Sequence, residues 1–187
     1  MDMLIEKDKS LKNVLNGKVI LLTGAGGGIG FEAAKAFVYM GAKVVIAEID
    51  NKKGTNAERY LNSTFSGDLA DFYEIDLSDE KQIMSMYDYI NKKYGCPDVI
   101  FNNATITAMG AVEDVSLQMW DKSYKVNFRA PLLLTQLFLP AMKKRNSGII
   151  VFVSSSGSAP YMGAYEVFKT AQVELSNTLS GDRKSVV

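Results

Sequence analysis

The residues Lys18-Val19-Ile20-Leu21-Leu22-Thr23-Gly24-Ala25-Gly26-Gly27-Gly28-Ile29-Gly30 run from an apolar stretch into a cluster of glycines. The chain then resumes with helical spacing as Phe31-Glu32-Ala33-Ala34-Lys35-Ala36-Phe37. A short β-type run, a glycine turn and an amphipathic helix, in that order, aim the free N–H groups and dipole of a helix N-terminus past the end of the strand. That is what the pyrophosphate of a dinucleotide requires. Glycine clusters also mark ordinary turns, so the spacing decides. Gly24, Gly28 and Gly30 form T-G-x-x-x-G-x-G: Gly24 permits the tight turn, Gly28 the close approach of backbone to phosphate, and Gly30 the close packing of helix on strand. Thr23, Gly24, Gly28, Ile29 and Gly30 are the first candidate cofactor-binding residues.

Residues 1–16 are mixed and lysine-rich, with a loose helical turn around Leu11 and Val14-Leu15, and read as a lead-in to a single domain over residues 17–187. Met40-Gly41 caps the first helix, and Lys43-Val44-Val45-Ile46-Ala47 gives a second strand, completing a βαβ unit. A helix over Lys52 to Leu61, a third strand over Asp71 to Ile75 and a helix from the Ser78-Asp79-Glu80-Lys81 cap to about Tyr94 follow, broken by Gly95-Cys96-Pro97. Asp98-Val99-Ile100-Phe101 is a fourth strand. The pattern then predicts one long helix from about Ser116 to Lys144 with a bend at Pro131. Gly148-Ile149-Ile150-Val151-Phe152-Val153 is a fifth strand, apolar throughout as a strand buried on both faces should be, and a last helix runs from about Gly163 to Leu179. Strands alternating with helices imply right-handed crossovers and an α/β fold with a doubly wound parallel sheet, the ligand lying at the carboxyl ends of the strands.

Composition narrows the chemistry. The 187 residues are 47% hydrophobic, with 21 basic and 21 acidic side chains, so no net field draws the chain to nucleic acid or an anionic membrane. No run reaches the roughly 18 apolar residues of a membrane span, and the polar start lacks the apolar core of a signal peptide, which points to the cytoplasm. Cys96 is the only cysteine and histidine is absent, which excludes an internal disulfide, Cys/His metal sites and every His-dependent triad; no metal is expected. Acid–base chemistry falls to Tyr, Lys, Asp or Glu.

Two acids stand at strand ends. Glu48, two dozen residues after Gly24, is placed to accept hydrogen bonds from the adenosine ribose hydroxyls. A phosphate on that ribose would meet like charge, which favours NAD over NADP, although Lys52 and Lys53 lie near enough in sequence to offset it. Asp76, with Leu77 after the third strand, is placed to touch the adenine. Tyr165-Glu166-Val167-Phe168-Lys169 brings a phenol and an ammonium onto one helix face. At about 5 Å and an effective dielectric of about 20 their attraction is on the order of 3 kcal/mol before desolvation and screening. That moves the phenol from about 10 toward 8, where it exchanges a proton near neutrality.

Together Thr23-Gly24-Ala25-Gly26-Gly27-Gly28-Ile29-Gly30, Asn102-Asn103-Ala104, Asn127, the serine after the fifth strand, and Tyr165 with Lys169 resemble the short-chain dehydrogenase/reductase family from about Lys18 to Ser180. The resemblance implies a three-layer α/β/α Rossmann fold and an NAD(P)-dependent oxidoreductase acting on a small alcohol or ketone. By it Tyr165 is the general acid–base and Lys169 holds the nicotinamide ribose and lowers the tyrosine pKa. Ser155 binds the substrate oxygen, Asn127 positions a water in a proton relay, and Asn103 and Ala104 line the cofactor. Relatives dimerise through the long and the last helix, so a homo-oligomer is expected.

Several features depart from the family pattern. Thr105 stands where the family usually has glycine, adding a side chain where backbone passes close to the cofactor. Three serines compete for one role: the strand alignment points to Ser155, with Ser154 and Ser156 as neighbours. The segment from Ser155 to Tyr165 is shorter than is common. Relatives continue into a sixth strand, a Pro-Gly loop over the nicotinamide, a substrate-covering segment and a seventh strand, whereas this sequence ends at Val187. The fifth strand is then expected to expose an apolar edge. Either the chain is part of a longer one, or a partner covers the edge, or the fold is less stable than its relatives. Catalysis is conditional on that region, and the alternative is a dinucleotide-binding or sensing module that does not catalyse.

Overall fold

The computed structural model describes residues 9–155 and 159–184. The first half of the lead-in, Ser156 and the last three residues lie outside them. After a 3₁₀ turn at Lys9–Leu11 come β1 (Val19–Thr23), α1 (Gly28–Tyr39), β2 (Lys43–Glu48), α2 (Asn51–Thr64), β3 (Ala70–Glu74) and α3 (Glu80–Tyr94). β4 (Val99–Asn102), α4 (Leu117–Tyr124), a π-helical turn at Lys125–Arg129, α5 (Ala130–Lys144), β5 (Ile149–Phe152) and α6 (Gly163–Lys184) complete the chain. The five strands form one parallel sheet in the order β3-β2-β1-β4-β5, the doubly wound arrangement expected from the sequence. Strand order reverses at β1, so the carboxyl ends of β1 and β4 open a crevice between the two halves.

The pleat sorts the central strands into two cores. Leu21, Val45 and Ile100 face α3 and α5, packing with Ile83, Met86, Ile90, Leu134 and Phe138. Ile20, Leu22, Val44 and Ile46 face α1 and α2, packing with Ala34, Val38, Ala57 and Leu61. Alternate residues of one strand thus serve opposite layers, which is why β1 and β2 are apolar without interruption. Among the described residues no helix is long and apolar enough to cross a membrane.

Both sheet edges are informative. On β3, Asp71 Oδ2 accepts from the hydroxyls of Tyr89 (2.6 Å) and Tyr94 (2.8 Å) and from Lys93 Nζ (3.0 Å). Burial alone pushes this carboxyl up, but the two phenols and the ammonium outweigh it and hold it below the ordinary carboxylate range. Glu58 Oε1 accepts from the outward-facing Phe72 N–H at 2.9 Å, so a side chain of α2 blunts this edge. β5 corrects its expectation. None of its residues is fully buried, and Ile149 is 59% exposed.

The long helix is also corrected. Ser116 caps it as expected, its Oγ accepting from Met119 N at 3.3 Å, but the break is the π-turn at Lys125–Arg129. Pro131 sits in the first turn of α5, directly after the π-turn; the proline inside α5 is Pro140. The cap of α3 falls on Asp79, which accepts from Lys81 N at 2.9 Å, one residue beyond Ser78.

Candidate active site

Gly24 has φ +68 and leads β1 sharply into the glycine turn. Gly30 lies where α1 crosses the strand: a Cβ there would come within 2.3 Å of the Gly24 carbonyl oxygen and 2.6 Å of Asn103 Nδ2. Thr23 and Asn103 stitch the turn to the end of β4. Thr23 Oγ1 accepts from the Asn103 and Ala104 N–H groups, both at 3.1 Å, and Asn103 Nδ2 donates to the Thr23 and Gly24 carbonyls, both at 3.0 Å. α1 starts at Gly28 with no side-chain cap and no acid in its first turn, leaving its leading N–H groups without a side-chain acceptor. A Cβ at Gly28 would meet nothing within 4 Å, so the backbone is open to a ligand.

These groups face a cleft of about 600 Å³. Of the predicted residues, Gly24, Gly28, Ile29, Glu48, Asp76, Leu77, Asn103 and Ala104 line it, whereas Thr23 and Gly30 lie beneath as its frame. Lys53 and Thr105, which the sequence placed near the cofactor, also line it, together with Ile49, Ile106, Lys122 and Val126, which were not anticipated. Lys122 and Val126 are four apart on one helix face, the spacing that gives them away. The cleft has the size, the uncapped helix terminus and the side-chain-free approach that a dinucleotide needs.

Glu48 occupies the far end. Its Oε2 accepts from Gly26 N at 3.0 Å and its Oε1 from Ile49 N at 2.9 Å and Asp50 N at 3.1 Å, so the carboxylate is fixed by backbone. Lys53 is 3.7 Å from Asp50 Oδ2, so part of its charge is already answered, and Lys52 does not line the cleft. Asp76 turns its Oδ1 onto Ser78 N at 2.8 Å, which shapes the loop after β3.

The second predicted group is on α6 and the end of β5, and Ser155, Tyr165 and Lys169 are not among the residues that line the cleft. Lys169 is 2% exposed; its Nζ donates to the Val153 carbonyl and stands 5.9 Å from the centroid of the Tyr165 ring. Ser154 Oγ donates to the Lys169 carbonyl at 2.8 Å, so strand end and helix are clipped together in both directions. Ser154 is thereby committed to the backbone, and Ser155 is half-buried beside it. The start of α6 is set by Gly110 N donating to Tyr161 O at 2.8 Å and by Tyr165 N donating to Ala108 O at 3.4 Å.

Asn127 does not line the cleft but bonds to its wall. It is fully buried in the π-turn; its Oδ1 accepts from Ile106 N (2.7 Å) and Thr105 Oγ1 (3.2 Å), and its Nδ2 donates to Ile106 O and Ser123 Oγ, both at 2.9 Å. That exhausts the side chain's hydrogen-bonding capacity, so only its main-chain carbonyl has a lone pair to offer a water. The sequence pointed to Asn127 but not to what it grips: Thr105, the departure from the family pattern, uses its hydroxyl here.

Burial lowers the Lys169 ammonium to about 8, well below its unfolded value of 10.5. Below pH 8 the lysine is charged in both states, and its burial opposes folding by roughly 3 kcal/mol. As pH rises from 8 to 10.5 the native lysine discharges first and the penalty vanishes. Lys169→Met is therefore expected to raise stability at pH 7 by about 1–2 kcal/mol, after allowing for the orphaned Val153 carbonyl. The gain should close above pH 10. Denaturant melts at the two pH values measure it; an equal or lower midpoint for the variant at pH 7 contradicts the burial cost.

The model of the short chain dehydrogenase family matches residues 18–185. An uncharacterized oxidoreductase of Thermotoga maritima is 36% identical over 169 residues, covering 89% of this chain and 66% of its own. The D-beta-hydroxybutyrate dehydrogenase of Cupriavidus necator is 32% identical over 143 residues, covering 76% of this chain and 55% of its own. A metagenomic short-chain oxidoreductase crystallised in complex with NADP superimposes with a TM-score of 0.85 at 30% identity, over 91% of this chain and 78% of that one. A short chain dehydrogenase from Salmonella enterica serovar Typhi does so with a TM-score of 0.85 at 27% identity, over 93% and 74%. The chain spans less than two thirds to about half of the length of these two curated relatives.

Proposed function

Since this chain belongs to the short-chain dehydrogenase family, we propose that it is a nicotinamide-dependent oxidoreductase acting on a small alcohol or carbonyl substrate, with NAD as its preferred cofactor. The observation that carries this reading is the uncapped start of α1 over a 600 Å³ cleft whose glycine turn leaves the backbone accessible. When bound, the nicotinamide supplies the hydride chemistry. The leading N–H groups of α1 and the Gly28 backbone hold the pyrophosphate, Glu48 receives the ribose hydroxyls, and Asp76 and Leu77 flank the adenine. Tyr165 gives or takes the hydroxyl proton of the substrate, Lys169 carries the positive charge beneath its ring, and Ser155 holds the substrate oxygen. Exposed Leu117, Val167 and Val173 on α4 and α6 support self-association through that face, which ultracentrifugation tests.

Titration calorimetry with NAD and NADP, followed by an absorbance screen of alcohols and ketones, tests the reading. Binding with turnover supports it; binding without turnover supports a dinucleotide-binding module; no binding of either cofactor overturns both. The choice between cofactors rests on Glu48. Its backbone-fixed carboxylate repels a 2′-phosphate, and NAD is expected to bind about 10- to 100-fold more tightly than NADP. Glu48→Gln should shrink that ratio to within about threefold. The NADP complex of the metagenomic relative is the specific reason to measure both; NADP preferred by the unaltered chain would overturn the assignment to NAD.

A further inference from the structure

The residue four positions after Asn127 is Pro131, which has no N–H to give the Asn127 carbonyl the bond an α-helix would. A donor comes from another element: Gln172 Nε2, on α6, donates to that carbonyl. Gln172 is fully buried, and its Oε1 has no partner among the described residues. A half-satisfied buried amide is a poor way to fill a core position that methionine or leucine would fill without polar atoms. Gln172 also lies three residues after Lys169, on the same face of α6. On its other side Asn127 grips Thr105 and Ile106, both of which line the cleft.

We propose that Gln172 is a positioning residue that acts through Asn127, linking the helix of Tyr165 and Lys169 to the Thr105–Ile106 wall of the dinucleotide cleft. The proposal rests on the dinucleotide reading above. Gln172 holds the π-turn carbonyl, the π-turn presents the Asn127 side chain, and that side chain sets the wall. Gln172 and Thr105 bond Asn127 from opposite sides, so any energetic coupling between them runs through it.

The test is a double-mutant cycle on NAD affinity by calorimetry with Gln172→Met, Thr105→Val and the pair. Gln172→Met is expected to weaken NAD binding about fivefold or more, and the double variant by clearly less than the product of the single effects. Single effects that simply multiply, or an unchanged affinity for Gln172→Met, overturn the proposal. If Gln172→Met does not fold, Gln172→Asn replaces it under the same criteria. If the unaltered chain binds neither NAD nor NADP, the dinucleotide reading fails separately. The same cycle is then read on unfolding midpoints, where additive shifts overturn the Gln172–Asn127–Thr105 link.

Discussion

Tyr165→Phe is expected to lower kcat by about three orders of magnitude while leaving NAD affinity within about twofold. The change removes one oxygen and keeps the ring, so packing at the start of α6 and the contact with Lys169, 5.9 Å from the ring centroid, are retained. What is lost is the group proposed to exchange a proton with the substrate oxygen. A positioned general acid–base contributes about 10²- to 10⁴-fold, and the remaining acceleration comes from holding the reactants together. Single-turnover measurement at saturating NAD isolates the chemical step. Turnover within tenfold of the unaltered chain on every accepted substrate would remove Tyr165 from the mechanism.

Gly30→Ala is expected to destabilise the fold by about 3 kcal/mol or more, despite alanine's better helix propensity of about 1 kcal/mol. The added methyl would meet the Gly24 carbonyl oxygen at 2.3 Å, Asn103 Nδ2 at 2.6 Å and Ala25 Cα at 3.0 Å. Two of these are backbone and cannot rotate away. Relief requires α1 to lift from β1, which breaks the Asn103 bonds to Thr23 and Gly24 and moves the turn that shapes the cleft. Dinucleotide affinity should fall with stability. Gly27→Ala is the control: its backbone is extended, with φ −173, and a Cβ would meet nothing within 4 Å. Its stability should stay within about 0.5 kcal/mol. Equal unfolding midpoints for the two variants would contradict the contact assigned to Gly30.

The glycine-turn lining of the cleft was legible because its parts are local. Gly24, Gly28 and Gly30 sit within one turn, and Glu48 and Asp76 follow directly on strand ends, so spacing along the chain stands in for distance in space. The parallel order was legible too, since apolar strands alternating with amphipathic helices admit few arrangements. The period that marks a helix hid the π-turn: a single added residue at Lys125–Arg129 shifts the phase too little to show against a continuous apolar stripe. β5 misled because an apolar run reads the same in a fully buried strand and in a partly exposed edge strand.

By itself the sequence determined the doubly wound sheet, from strands alternating with helices, and the glycine turn and the i, i+4 placement of Tyr165 and Lys169, which follow from backbone geometry over a few consecutive residues. The tertiary structure alone decided which acceptor each buried polar group serves. Ser154 reaches the Lys169 carbonyl, Asn127 grips Thr105 and Ile106, and Gln172 donates to the Asn127 carbonyl. These partners come from elements far apart in the chain, and only when the sheet and helices close around them does water leave and each group need a specific neighbour.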